Sequence, residues 1–401
     1  MRKNQKSQIT LFMILGIVIL LVVGLVFYFV KSTGKKQTDA SVTKVQNTFL
    51  SIQPIKEFTS KCVDKLAKDA IVILSKQGGY IYKSQGGTIV DYSSADNGFF
   101  FVTGTGPSAE RIAYNIMPPK GNVANYFSNP PENPNYPWKS FPYDSLIGFA
   151  EKYDGYFGTD TMPPLNSDDG PNSIQSQIEN FVDDNMDKCL DLSSFEDQDY
   201  IITKNKSRTT VTIGVSDVNA KSSIPIQIVH RQTREGTELN EFSATIPVRL
   251  ASLYSFSKDL VRNDIINIKF DIKSQSNNKD GFEIILKPSS NTFDDIITVI
   301  DKQSFVYGRN IEYTFGRRNR APALHLIRPE EIYVLIGTTI DKNKLLDGKE
   351  LRAYDPDEDK IDFKIEPAIP FDATESVDVK IEATDGKYKD YQIVKIIVPD
   401  I

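Results

Sequence analysis

The sequence predicts a single N-terminal transmembrane helix, a disulfide-clasped α+β domain, a mainly-β region and a C-terminal β-sandwich. Three observations predict it. Residues 8–30 carry no charge. The only two cysteines, Cys62 and Cys189, each lie on an apolar stripe of helical period. Beyond residue 200, runs of β-branched and alternating residues separated by polar breaks dominate.

Taken in order, the first segment is "QITLFMILGIVILLVVGLVFYFV". About 22 residues at ~1.5 Å each give roughly 33 Å of helix, enough to cross a bilayer core. Arg2, Lys3 and Lys6 precede it, and "KSTGKK" comes after it with no small-residue cleavage site. The expectation is an uncleaved single-pass anchor over 1–30, with the bulk of the chain extracellular. A polar stalk over 31–54 ends at Pro54.

A domain over 55–200 comes next. Phe58, Cys62 and Leu66 are spaced by four, with Val63, Ala70 and Leu74 on the adjoining face. Ile174, Ile178, Phe181, Val182 and Cys189 mark a second helix. A lone, distant cysteine pair in an exported chain reads as one disulfide, Cys62–Cys189, against two buried free thiols. Between the helices, "QGGYIYKSQGGTIVDY" signals a hairpin and "GFFFVTGTG" a strand. Residues 117–171 are rich in proline and aromatics, which forbids long helices and central strands. Either the rings pack on the domain, or Tyr136, Trp138 and Tyr143 offer a platform to a sugar or peptide.

Residues 201–320 hold "TTVTIGV", "IPIQIVH", "EFSATIPVRL", "IINIKFDI", "GFEIILKP" and "DDIITVIDKQS", interrupted by one helix over "ASLYSFSKDLVRND". Residues 321–329 read as a hinge carrying Pro322 and Pro329. The nearby Arg317, Arg318 and Arg320 read as a solvated connection. Residues 330–401 form an all-β block. Ile361, Phe363 and Ile365 point one way, Asp362, Lys364 and Glu366 the other.

Composition narrows the function. The 401-residue chain carries a net charge of −6, which argues against a nucleic-acid scaffold. Its two histidines, His230 and His325, lie near no nucleophile motif, and neither GxSxG nor HExxH occurs. "GTGPSA" at 104–109 has the form of a dinucleotide fingerprint, but Pro107 and the absence of a parallel α/β run make it a turn. Asn205 opens the sequon "NKS", which permits decoration.

"DPDEDKIDFKIE" places Asp355, Asp357, Asp359 and Glu366 at positions 1, 3, 5 and 12 of a calcium loop. Lys360 stands where such a loop needs glycine, and the strand period of "KIDFKIE" keeps Glu366 from curling back. The helical calcium loop is excluded. The stretches "AYDPDEDKIDF" and "IEATDGKY" instead resemble the dystroglycan-type cadherin-like and immunoglobulin-like modules of microbial surface proteins, with Glu358 replacing the family's glycine. That resemblance implies that both turns share one end of a sandwich, bringing Asp385 near Asp355, Asp357 and Asp359. Four converging carboxylates call for a cation, and oxygen-only ligands suit Ca²⁺; the alternative is a solvated acidic loop.

Elsewhere, "QITLFMILGIVIL", "LSKQGGYI", "CLDLSSFEDQ" and "FGRRNRAPAL" resemble membrane-anchored surface proteins of small-genome archaea. The N-terminus is similar to a prepilin-like signal cut between Ser7 and Gln8, although Phe12 replaces the usual acid. The expected function is thus a structural, adhesive or binding role at the cell surface, toward another surface protein or a glycan. Two alternatives are a pilin-like subunit and a surface hydrolase or glycan-binding protein using the 117–171 loop.

Overall fold

The computed structural model describes residues 38–90, 100–103, 110–118, 157–288, 293–324, 327 and 329–399. Helix α1 (Thr38–Lys76) is followed by β1 (Phe100–Thr103), β2 (Glu110–Met117), β3 (Thr159–Asp160), α2 (Ile174–Cys189) and α3 (Ser193–Glu196). Next come β4 (Tyr200–Lys204), β5 (Arg208–Ile213), β6 (Val218–His230) and β7 (Gly236–Ile246). Helix α4 (Leu250–Ile266), β8 (Phe282–Pro288), β9 (Asp295–Val306) and β10 (Arg309–Arg317) complete the first body.

Helix α1 buries Ile55, Thr59, Val63, Leu66, Ala70 and Leu74, a spacing of three and four that puts them on one face. Its wet face is laced by Lys65–Asp69 and Lys68–Asp64 pairs one turn apart. The helix runs through Pro54, which was expected to end the stalk over 31–54. Proline there removes one backbone hydrogen bond without stopping the helix. The Ser173 hydroxyl caps α2 by accepting from the Ser176 amide at 3.1 Å. Helices α1 and α2 pack together and are joined by the Cys62–Cys189 disulfide, Cα–Cα 5.7 Å.

Two sheets flank this pair. In the first, the order is β1-β2-β10-β9-β8, with β3 on β2, and β2 runs parallel to β10. In the second, β4 and β5 share one edge of the long β6 and β7 takes the other. Pro225 sits where β4 hands over to β5, since proline has no amide to give a ladder. Helix α1 contacts both β7 and β10, so one hydrophobic core runs from Ile55 to Phe315. The expected division between 55–200 and 201–320 is therefore not a boundary of the core. Two local readings also differ. "IINIKFDI" is no strand: α4 continues to Ile266 and a turn succeeds it. "GTGPSA" lies outside the described residues, and the next element along the chain is β2, antiparallel to β1, not a helix that could hold phosphate.

The C-terminal body comprises β11 (Ala323–Leu324), β12 (Glu331–Tyr333), β13 (Thr338–Ile340), α5 (Lys342–Leu346), β14 (Ala353–Tyr354), β15 (Asp362–Glu366), β16 (Phe371–Ala373), β17 (Val377–Thr384) and β18 (Lys389–Ile397). A four-stranded sheet, β12-β18-β17-β15, and the pairs β13–β16 and β11–β14 enclose a second core. Val379, Ile381 and Ala383 alternate inward along β17, with Asp378, Lys380 and Glu382 more exposed. The expected hinge over 321–329 is built into this body: Ala321, Ala323, Leu324 and Ile327 are buried.

The membrane expectation is corrected. Residues 8–30 lie outside the described residues, and among the described residues no helix is long and apolar enough to cross a membrane. The longest described helix, α1, carries lysine or acid at ten positions from Asp39 to Lys76. Among the described residues the observed fold is five α-helices and mainly sheet, with the Cys62–Cys189 disulfide.

Candidate metal centre

The two bodies meet where β10 ends. From Arg317 the chain crosses through Arg318, Asn319 and Arg320 to β11. This crossing is not the solvated connection its composition suggested, because Arg317, Asn319 and Arg320 are all buried. Arg317 pairs with Asp264 at 3.0 Å, Asp295 at 2.5 Å and Asp357 at 3.3 Å. Arg320 pairs with Asp264 at 2.8 Å and Asp357 at 2.7 Å. Its backbone amide also donates to Asp357 Oδ2 at 2.6 Å, and its Nη2 to the Pro356 carbonyl at 2.8 Å. Asp264 belongs to α4 and Asp295 to β9, while Asp357 comes from the acidic turn of the other body. Burial alone would lower both guanidinium pKa values, but the surrounding carboxylates hold them above their ordinary range. Burial pushes Asp295 upward, against the pull of Arg317.

Beside this network lies an acidic cluster. Asp355 comes directly after β14, and its Oδ1 accepts from the amides of Asp357 at 2.8 Å and Asp359 at 3.2 Å. Asp385 comes directly after β17; its Oδ1 accepts from the amides of Lys387 and Tyr388. Turn chemistry thus ties down one oxygen of each carboxylate. Ligand oxygens of Asp355, Asp359 and Asp385 lie within 4.8 Å of one another. Among the described residues, Asp355 Oδ2 and Asp359 Oδ2 are buried without a hydrogen-bond donor, and so is the Oδ1 of Asn319. The Asn319 amide belongs to the same place: its Nδ2 donates to Asp385 Oδ2 at 2.9 Å. Burial, then the Asp357 charge, raises Asp355 to about 7. The same causes, with Asp295 and Asp385, raise Asp359 to about 6.

Of the four carboxylates read from the sequence, the structure groups Asp355, Asp359 and Asp385. Asp357 is turned away, since both its oxygens serve Arg320. Asn319 was missed; it sits between two arginines in a stretch that looked like linker, and no spacing marks it. Tyr136, Trp138 and Tyr143 lie outside the described residues, as does His325. His230 holds a turn: its Nδ1 accepts from the Thr233 amide at 3.3 Å and its ring meets Tyr200 edge-on. Asn205 is exposed between β4 and β5. Compared with known proteins, the chain matches no family model, no curated protein and no solved structure.

Proposed function

We propose that this chain is a structural or adhesive protein that presents its C-terminal body at a fixed orientation, to be met by another protein or a glycan. The observation that carries the reading is the burial of two guanidiniums between the bodies. A flexible tether would leave such charges in water, because removing them costs several kcal/mol per ion unless they are paired. Further contacts cross the same junction. Lys273 pairs with Glu358, Lys269 lies over the Tyr354 ring, and Lys387 approaches Asp294 at 3.9 Å. A display protein needs this stiffness; the described residues give no comparable case for turnover. The disulfide closing a span of 127 residues suits an oxidising environment.

The test compares small-angle scattering of the full chain with that of Arg320→Met. The wild type should fit one rigid shape, and the variant a broader distribution of inter-body distances. An unchanged profile removes the fixed-orientation argument. Turnover of glycans or peptides by the purified chain would replace the reading with the hydrolase.

A further inference from the structure

We propose that Asp355, Asp359 and Asp385 of the C-terminal body and Asn319 of the crossing segment form one calcium site shared across the junction. The inference rests on the fixed-orientation reading and adds the ion that completes the junction.

Four observations lead to it. First, the carboxylate oxygens lie within 4.8 Å of one another. Ligands held at about 2.4 Å on opposite sides of one ion are separated by about that distance. Second, the cluster leaves oxygens buried with no donor, and one of them does not belong to an acid. Asn319 is fully buried, its amide touches Asp385, and its Oδ1 has no donor among the described residues. Buried polar atoms in native folds are satisfied, and a cation satisfies several at once. Third, the two buried guanidiniums of the adjoining network form their ion pairs with other carboxylates, Arg317 and Arg320 being held by Asp264, Asp295 and Asp357. Fourth, every candidate ligand atom is oxygen, with neither sulfur nor imidazole in the group. That donor set selects a hard cation, and an irregular set from two turns and a linker favours calcium over the stricter octahedron of magnesium. Water would fill the remaining positions.

The carboxylates divide the labour. Asp357 aligns the acidic turn on the arginines, and the cation ties that turn to the turn after β17 and to Asn319. Because Asn319 belongs to the crossing, the full ligand set exists only when the bodies are docked.

The experiment uses the full chain stripped with chelator, then given CaCl₂ or MgCl₂ at about 1–10 mM, the range in which weak calcium modules fill. Equilibrium dialysis should find one Ca²⁺ per chain, with a melting temperature raised by roughly 2–4 °C. Asp359→Asn, at the least buried ligand, should abolish both responses while the chain still folds. Asn319→Ala should weaken uptake by about tenfold or more. No uptake, or full uptake by Asp359→Asn, overturns the site. An equal response to Mg²⁺ overturns the assignment to calcium. Rigid scattering in a chain that takes up no Ca²⁺ sinks this inference alone; mobile bodies with Ca²⁺ bound sink the orientation reading.

Discussion

Glu358 stands in the left-handed region at φ 63°, where a side chain clashes with its own backbone. That conformation costs a non-glycine residue roughly 1–2 kcal/mol, and glycine adopts it freely. The backbone of this turn thus takes a shape that glycine would serve without strain. The glutamate's own contribution is the contact with Lys273 of the first body. Lys273 is more than half exposed in that pair, so it is worth at most about 1 kcal/mol. Glu358→Gly should therefore leave stability unchanged or raise it by up to about 1 kcal/mol, although a salt bridge is lost. Glu358→Ala loses the bridge and keeps the strained conformation, so it should be the less stable of the two. Urea midpoints of both variants decide it; a glycine variant less stable than the alanine one would show that backbone strain is not the larger effect.

Among the elements, the two clasped helices were legible because each signal repeated. Apolar residues recurred at helical spacing in both, and a cysteine lay on each stripe. Strands β5, β17 and the half of β6 from Ile224 onward were legible for the same reason, each an alternating or β-branched run. Residues 265–272 were not, because Ile265 belongs at once to the helical stripe of Leu260 and Val261 and to a β-branched run. Local composition cannot choose between periods there, and the packing of α4 on β2, β9 and β10 does. The clasp itself gives a prediction. Closing 127 residues constrains the unfolded chain by about 4–5 kcal/mol in the loop-entropy model. Replacing both Cys62 and Cys189 by alanine should lower unfolding free energy by that order while leaving the fold in place. A loss below about 1 kcal/mol would show that helix packing alone holds the pair.

At the scale of the whole molecule, the sequence hid the junction because its halves look unrelated. Arg320 and Asp357 are 37 residues apart, and Arg317 and Asp264 53. Each reads alone as a surface charge: three arginines as a wet linker, five acids as a wet turn. Only their complementarity across the fold makes them buried partners, and no local period records that. The consequence is thermodynamic. Two bodies with separate cores would ordinarily melt separately, but here undocking exposes a matched set of charges, and losing one body strands the other's. Breaking a buried pair on one side costs about 3–5 kcal/mol. Calorimetry of the full chain should therefore show one transition containing both cores. Asp357→Asn should split it or lower it by several degrees, because Arg320 keeps its charge and is left with Asp264 as its one carboxylate partner among those it pairs with here. Adding Arg320→Met to that variant should recover part of the loss, since the stranded charge goes with it. Two resolved transitions in the wild type would mean that the ion pairs form after docking and do not enforce it. A double variant as unstable as the sum of the singles would mean that Arg320 and Asp357 act independently across the junction.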